Sequence, residues 1–208
     1  MSVKMQRSNE FPFEFDRERQ QQRQAEIALK NKRMGINLFQ ISWIMAFVCL
    51  SVVNLVMRGN APSWPPPGTP PLDPVLPTIA TLGLIASMVL ARRAFLAIQT
   101  DKLSAFLVQW RAVLGLGALF VAVMIYEWIT LTPTLDGPPN QFNTIFRLMT
   151  AFHSLHAIAI GVYLIWVLRR AAQGVYRHAD FWDIEAGSKL WYFVVIAWLL
   201  FYAVLYII

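Results

Sequence analysis

The sequence predicts an all-α membrane protein, a polytopic bundle of five transmembrane helices with its N-terminus cytoplasmic and its C-terminus exoplasmic. Three observations lead there. Apolar residue types make up 57% of the 208 residues and charged types 14%, with a mean hydropathy of +0.47, whereas soluble domains carry about 45–50% and about 25%. Five stretches stay apolar over the roughly 17–25 residues that a helix needs to cross a hydrocarbon core. The basic residues are also sorted by membrane side: 15 of the 18 Lys and Arg fall in the N-terminal tail, around the second connection and in the fourth.

The elements follow in order. Residues 1–33 form a cytoplasmic polar tail with no apolar run and no small-residue cleavage site, so it is not read as a removable secretory signal. Its Gln-, Arg- and Glu-rich run over 17–32 has little apolar face, which suits a solvated or surface-lying segment, with a partner contact as the alternative. Residues 34–208 form the transmembrane domain, with spans over 34–57, 74–96, 103–131, 143–168 and 190–208. A Pro-rich loop over 58–73 joins the first two. A basic turn, a Pro/Gly loop over 132–141 and a charged loop over 169–189 join the rest. By the positive-inside rule the tail, the basic turn and the charged loop are cytoplasmic, as five crossings require.

Composition also excludes. The net charge of +6 and pI near 9.8 are explained by topology rather than by one basic patch, so no nucleic-acid partner is expected. The single cysteine, Cys49, rules out an intramolecular disulfide, a Cys-x-x-Cys pair, a covalent haem site and a binuclear thiolate copper centre. Three histidines, His153, His156 and His178, are too few to ligate two haems and a copper ion.

Ionisable groups inside a bilayer are costly, so each one is a candidate site. Arg111 lies about two turns from the cytoplasmic end of the third span, where it either anchors at the interface or contacts a phospholipid headgroup. Glu127 and Arg147 lie at similar depth on antiparallel neighbours and are expected to pair, with the His153/His156 face as the competing partner for Glu127. His153 and His156, three residues apart, share one helix face. Metal or haem ligation is one reading, but no other span has a histidine. Neutral imidazoles hydrogen-bonded across helices to Glu127, Ser or Thr are the reading we favour. Trp110, Trp166 and Trp191, with Trp128 and Tyr206 at the other side, read as an interfacial belt. Trp43 and Trp198 lie deeper and are expected to pack on another helix or subunit.

Together these motifs resemble subunit III of the haem-copper respiratory oxidases of the cytochrome c oxidase type. Trp64-Pro65-Pro66-Pro67-Gly68, followed by Leu72-Asp73-Pro74, is similar to the family's Trp-Pro-Pro-x-Gly loop. Tyr126-Glu127-Trp128 resembles its Glu-Tyr pair, and Phe152-His153-Ser154-Leu155-His156 with Gly161 resembles its Phe-His-x-Leu-His motif. Glu185-Ala186-Gly187, Trp191-Tyr192-Phe193-Val194 and Trp198-Leu199 resemble the pattern of the last loop and span. The chain has Ile41-Ser42-Trp43 where the family often has Ile-Ser-Glu, and Tyr192 and Val195 where it has His and Asp.

The resemblance implies a five-span form without the first two helices of the seven-span family, whose longer members hold phospholipid in a V-shaped cleft. It also implies an accessory subunit, free of cofactors, of a proton-pumping oxidase in a bacterial plasma (inner) membrane. The haems and copper would sit on partner subunits I and II, phospholipid would be a partner, and cytochrome c would be met only indirectly. Such a subunit would stabilise the catalytic subunit and support proton uptake through the charged loop. The alternatives are a five-span relative accompanying nitric oxide reductase, subunit III of a quinol oxidase, and an independent haem b membrane cytochrome.

Overall fold

The computed structural model describes residues 11–69, 72–130, 140–176 and 181–208, with side chains from residue 16 onward. His178 and most of the Pro/Gly loop lie outside the described residues. Five helices, α1 (Phe11–Asn60), α2 (Val75–Gln99), α3 (Leu103–Thr130), α4 (Gln141–Ala172) and α5 (Trp182–Tyr202), account for nearly all of the described chain. A π-helical turn over Ala203–Ile207 continues α5. Among the described residues all five helices are long and apolar enough to cross a membrane.

α1 is much longer than the expected span and runs through Met34 without a break. Its polar half is rich in Gln, Glu, Arg, Lys and Ala, all good helix formers, so propensity carries the helix back past the apolar run. It stops at Asn60 because Ala61 precedes Pro62, and the residue before proline is steered away from helical ψ. The chain forms two compact units, 1–41 and 42–208. The first is a single helical segment whose described side chains are mostly exposed.

In the second unit the connections are set by local chemistry. Asp73 Oδ1 accepts from the Val75 backbone N–H at 3.0 Å and opens α2, where Pro77 is tolerated within the first turn. α2 ends on Asp101 at φ +55°, where the Asp101 and Lys102 amides donate to the Ile98 and Ala97 carbonyls at 3.2 and 2.9 Å. α3 starts at the next residue, so α2 and α3 form a tight antiparallel hairpin. α4 is capped by Asn140, whose Oδ1 accepts from the Phe142 and Asn143 amides. It ends in the same way as α2, with Gly174 at φ +71° and the Val175 amide reaching back to the Arg170 carbonyl at 3.2 Å. Asp183 and Glu185 sit in the first turn of α5, where they complement the helix dipole.

α2, α3, α4 and α5 close into a ring in which each helix packs on two neighbours. Leu84, Phe106, Trp110, Phe120, Met124, Met149, Leu164, Val194, Trp198 and Phe201 fill its interior. Within this unit, α1 packs through Phe47 on α4 and α5. The outer surface is as apolar as the core: Leu155 and Val162, for example, are 68% and 63% exposed. A soluble monomer does not expose that much contiguous hydrocarbon, whereas lipid solvates it at no cost.

Candidate functional site

Four indole N–H groups organise the ring of helices. Trp198 Nε1 donates to Thr81 Oγ1 at 2.8 Å and Trp191 Nε1 to Ser87 Oγ at 2.9 Å, tying α5 to α2. Trp128 Nε1 donates to Thr150 Oγ1 at 2.7 Å and Trp110 Nε1 to the Leu164 carbonyl at 3.0 Å, tying α3 to α4. Each hydroxyl also donates to a carbonyl of its own helix: Thr81 to Pro77, Ser87 to Leu84 and Thr150 to Phe146. The hydroxyl proton is satisfied within the helix and a lone pair is left for the indole. Trp110 and Trp191 are 0% and 2% exposed, which corrects their assignment to the interfacial belt. Trp166, by contrast, is exposed near the end of α4. Hydropathy at a span end does not distinguish an indole facing lipid from one facing a neighbouring helix.

The same register places His153 and His156 inside a cage of rings. Phe47, Phe120, Trp198 and Phe201 have centroids 6.0, 5.4, 5.3 and 6.3 Å from that of His153, which is fully buried. Trp43, Phe47 and Phe193 surround His156 at 4.9, 5.7 and 5.3 Å. Neither nitrogen of His153, nor Nε2 of His156, has a hydrogen-bond partner. The expected bonds to Glu127, Ser or Thr are therefore not formed at these atoms. The histidine rings meet aromatic rings rather than hydroxyls, and the buried hydroxyls of Ser154 and Ser188 likewise have no hydrogen-bond partner. Trp43 also packs on Phe152, with ring centroids 5.5 Å apart and planes tilted by 32°. Replacing His153 with leucine removes two buried unpartnered nitrogens. It is expected to leave subunit retention in the solubilised complex intact, with a stability change within about 1.5 kcal/mol. Loss of the subunit in pull-down would show a polar role for the imidazole.

Glu127 and Arg147 do not pair. Glu127 is buried, yet no hydrogen bond or ion pair joins it to Arg147, which corrects the expectation from hairpin geometry. Depth alone does not fix azimuth: the Trp128–Thr150 bond turns Trp128 toward α4 and leaves Glu127 one residue round the helix, within electrostatic reach of Tyr206. Arg111 is exposed on α3 and forms no ion pair among the described residues.

At the end of α3 away from the basic turn, the Pro-rich loop closes over the start of α4. Trp64 packs edge-on against Phe142 at 5.2 Å, and Asn140 Nδ2 donates to Thr69 Oγ1. Pro66 to Thr69 form a turn closed by the Thr69 amide on the Pro66 carbonyl at 3.1 Å, with Gly68 at φ +83°. The peptide bond between Trp64 and Pro65 is cis.

At the opposite end Asp183 is a hub that sequence reading did not single out. Arg170 Nη1 and Tyr176 Oη donate to its Oδ2 at 3.0 and 3.1 Å, and Tyr163 Oη donates to its carbonyl at 3.2 Å. The Arg170 guanidinium also lies 4.7 Å from the Trp166 ring centroid. Burial, and next the adjacent Asp183 carboxylate, hold the Tyr176 phenol well above its ordinary range. The only signal in the sequence was an acidic residue in the first turn of a helix. Glu185 pairs with Lys189 one turn on, at 3.1 Å. Asp183→Asn is expected to cost about 1 kcal/mol, since the ion pair is partly exposed. Faster proteolysis within 173–181 would report it.

The family model for Cytochrome c oxidase subunit III matches residues 16–208. The chain belongs to the cytochrome c oxidase subunit III family. A protein of Synechocystis sp. named Cytochrome c oxidase subunit 3 is 31% identical over 180 residues, covering 85% of this chain and 76% of the relative. One from Thermostichus vulcanus with the same name is 32% identical over 179 residues, covering 84% and 86%. A third, from Ornithorhynchus anatinus, is 29% identical over 189 residues, covering 87% and 71%. Membership makes this subunit III a multi-pass membrane component of an oxidase complex, associated with the other oxidase subunits. Among the described residues no group of three or more His, Cys, Asp or Glu could hold a metal ion. In this fold the Phe-His-x-Leu-His residues pack among aromatic rings, and Trp191 and Trp198 are the indoles that tie α5 to α2.

Proposed function

We propose that this chain is the accessory, cofactor-free subunit III of a proton-pumping cytochrome c oxidase in a bacterial plasma membrane. It stabilises the catalytic subunit and supports proton uptake from the cytoplasm. The complex oxidises cytochrome c and reduces oxygen to water on subunits I and II, which carry the haems and copper, and this chain meets cytochrome c only through them. The observation that carries the reading is the enclosure of His153 and His156, on α4, by aromatic rings contributed by α1, α3 and α5, which turns the most ligand-like residues of the chain into core. The charge distribution supports an orientation with Arg92, Arg93, Lys102, Arg169 and Arg170 on the cytoplasmic side. The Asp183 hub then holds the charged loop at that face, where protons enter.

The test is to purify the oxidase with and without this chain. The complex is expected to carry this subunit beside subunits I and II by mass spectrometry. Without it, oxygen reduction should persist at first while turnover-driven proton uptake slows and activity decays sooner. A Soret band from this chain purified alone, or unchanged proton uptake and stability in its absence, would overturn the reading.

A further inference from the structure

We propose that ordered water occupies the end of the helix ring nearest the Pro-rich loop, where it bridges the Glu127 carboxylate, the Tyr206 hydroxyl and the Asn143 side-chain carbonyl. Glu127 is only 7% exposed, and its carboxylate accepts no hydrogen bond and joins no ion pair among the described residues. The charged group within its electrostatic reach is Asp73, a second carboxylate, whose Oδ1 is already taken by the Val75 amide. Tyr206 Oη and Asn143 Oδ1 are buried and likewise have no partner. A carboxylate inside a bilayer-spanning bundle has to be neutralised or solvated, and here the neighbouring charge only repels.

The packing brings these groups to one end of the ring. Phe120, His153 and Trp198 meet in a single layer, with ring centroids 4.6, 5.3 and 5.4 Å apart. Two turns nearer the Pro-rich loop, about 10–12 Å of rise, lie Glu127 on α3, Phe146 on α4 and Tyr206 after α5. Contact in this second layer is direct: the Phe146 and Tyr206 rings are 6.3 Å apart, and Tyr206 is within electrostatic reach of Glu127. Asn143, also 7% exposed, lies one turn before Phe146 and two before Thr150. Because Thr150 Oγ1 meets Trp128, Asn143 is on the face of α4 turned to α3. The π-helical turn Ala203–Ile207 supplies the third wall, and its wide winding leaves Tyr202 and Tyr206 stacked with centroids 5.3 Å apart. The Tyr202 hydroxyl is engaged by Thr78, whereas that of Tyr206 is left for a ligand.

The count of donors and acceptors selects water. The phenol offers a proton, while Glu127 and Asn143 offer lone pairs, and one water molecule can accept from the first and donate to the other two. A metal ion takes lone pairs alone and leaves the phenol proton unused. Buried water ordinarily serves such groups, making about three hydrogen bonds to buried polar atoms that lack other partners. The bridge ties α3 and α4 to the turn that closes α5. It sits at the opposite end of the ring from the Asp183 hub, so it is independent of the proton-uptake reading.

The test uses the full chain in the solubilised oxidase complex, irradiated with X-rays in water enriched in heavy oxygen. Radiolysis of a bound water labels the side chain it touches. Tyr206 is expected to take up label several-fold faster than Tyr202, which is likewise half-buried but has its hydroxyl on Thr78. Glu127→Leu should bring Tyr206 down to the rate of Tyr202, whereas Glu127→Gln, which keeps a side-chain oxygen, should leave it high. If Glu127→Leu fails to assemble, Asn143→Leu should give a fall in the same direction. Added calcium or a chelator should leave the rates unchanged. Equal labelling of the two tyrosines in the parent would overturn the proposal. So would undiminished labelling of Tyr206 in the leucine variants, or a rate that responds to calcium or chelation, which would mark a bound cation instead.

Discussion

Trp198→Ala should destabilise the subunit by about 3–5 kcal/mol, the range for deleting a large buried ring. Three effects add at this position. The side chain is fully buried, so truncation leaves a cavity at the centre of the helix ring. It packs on Phe120 at 4.6 Å and His153 at 5.3 Å, so the histidine cage loses a wall. Its indole also holds α5 to α2 through Thr81, with Thr78 Oγ1 and Tyr202 Oη joined one turn further along at 2.6 Å. The measurement is the thermal midpoint at which this subunit dissociates from the purified complex. Trp198→Phe separates the contributions, because it keeps most of the ring and loses only the bond to Thr81. About 1 kcal/mol of the total should go with the hydrogen bond and the remainder with packing. An alanine variant as stable as the parent would mean that lipid or a partner subunit, rather than this core, holds the helices together.

Gly117→Leu is the second large effect, and it acts by overfilling. The added Cβ would sit 2.5 Å from Trp191, and Trp191 cannot swing aside without losing its bond to Ser87. Overpacking of this kind costs about 1–3 kcal/mol where the neighbours can shift, and α3 here backs onto an anchored indole. The expected result is poor incorporation of the subunit. Adding Trp191→Leu should recover part of the loss, because the second change vacates the volume that the first requires. If the double variant shows no recovery, the clash with Trp191 is not the cause. Gly187 is a similar position: its Cβ would lie 2.9 Å from Leu164 and 3.3 Å from Trp110. The two glycines sit where α3 and α5 each receive a tryptophan.

The lower-energy changes show how membrane and core share the work. In lipid there is no hydrophobic drive to bring helices together, so packing and interhelical hydrogen bonds must do it. That is why the indole-to-hydroxyl bonds recur on two pairs of helices, and why His153→Leu should be mild although His153 is completely buried. His153 contributes volume and ring contacts, and leucine supplies volume at no polar cost.

Hydropathy, charge sidedness and motif order, read from the chain alone, established five membrane-spanning helices and the resemblance to an oxidase subunit III. These are one-dimensional properties: the run length that crosses a bilayer and the order of motifs along the chain do not depend on which helix faces which. The places where sequence reading failed are matters of azimuth, of which neighbour each side chain faces. Trp110 and Trp191 sit at span ends like interfacial residues, but the rotation of their helices turns them inward. Glu127 and Arg147 match in depth, yet the Trp128–Thr150 bond fixes a rotation that separates them. His153 had candidate hydroxyl partners by depth, and only the packed helices show that its ring faces Phe47, Phe120, Trp198 and Phe201 instead. Asp183 likewise became a hub because the end of α4 folds back over the start of α5, bringing Arg170 and Tyr176 onto one carboxylate oxygen. Periodicity determines which residues enter a membrane and how deep they lie, but their partners depend on helix rotation and neighbour choice, which are set by the close packing of the ring of helices as a whole.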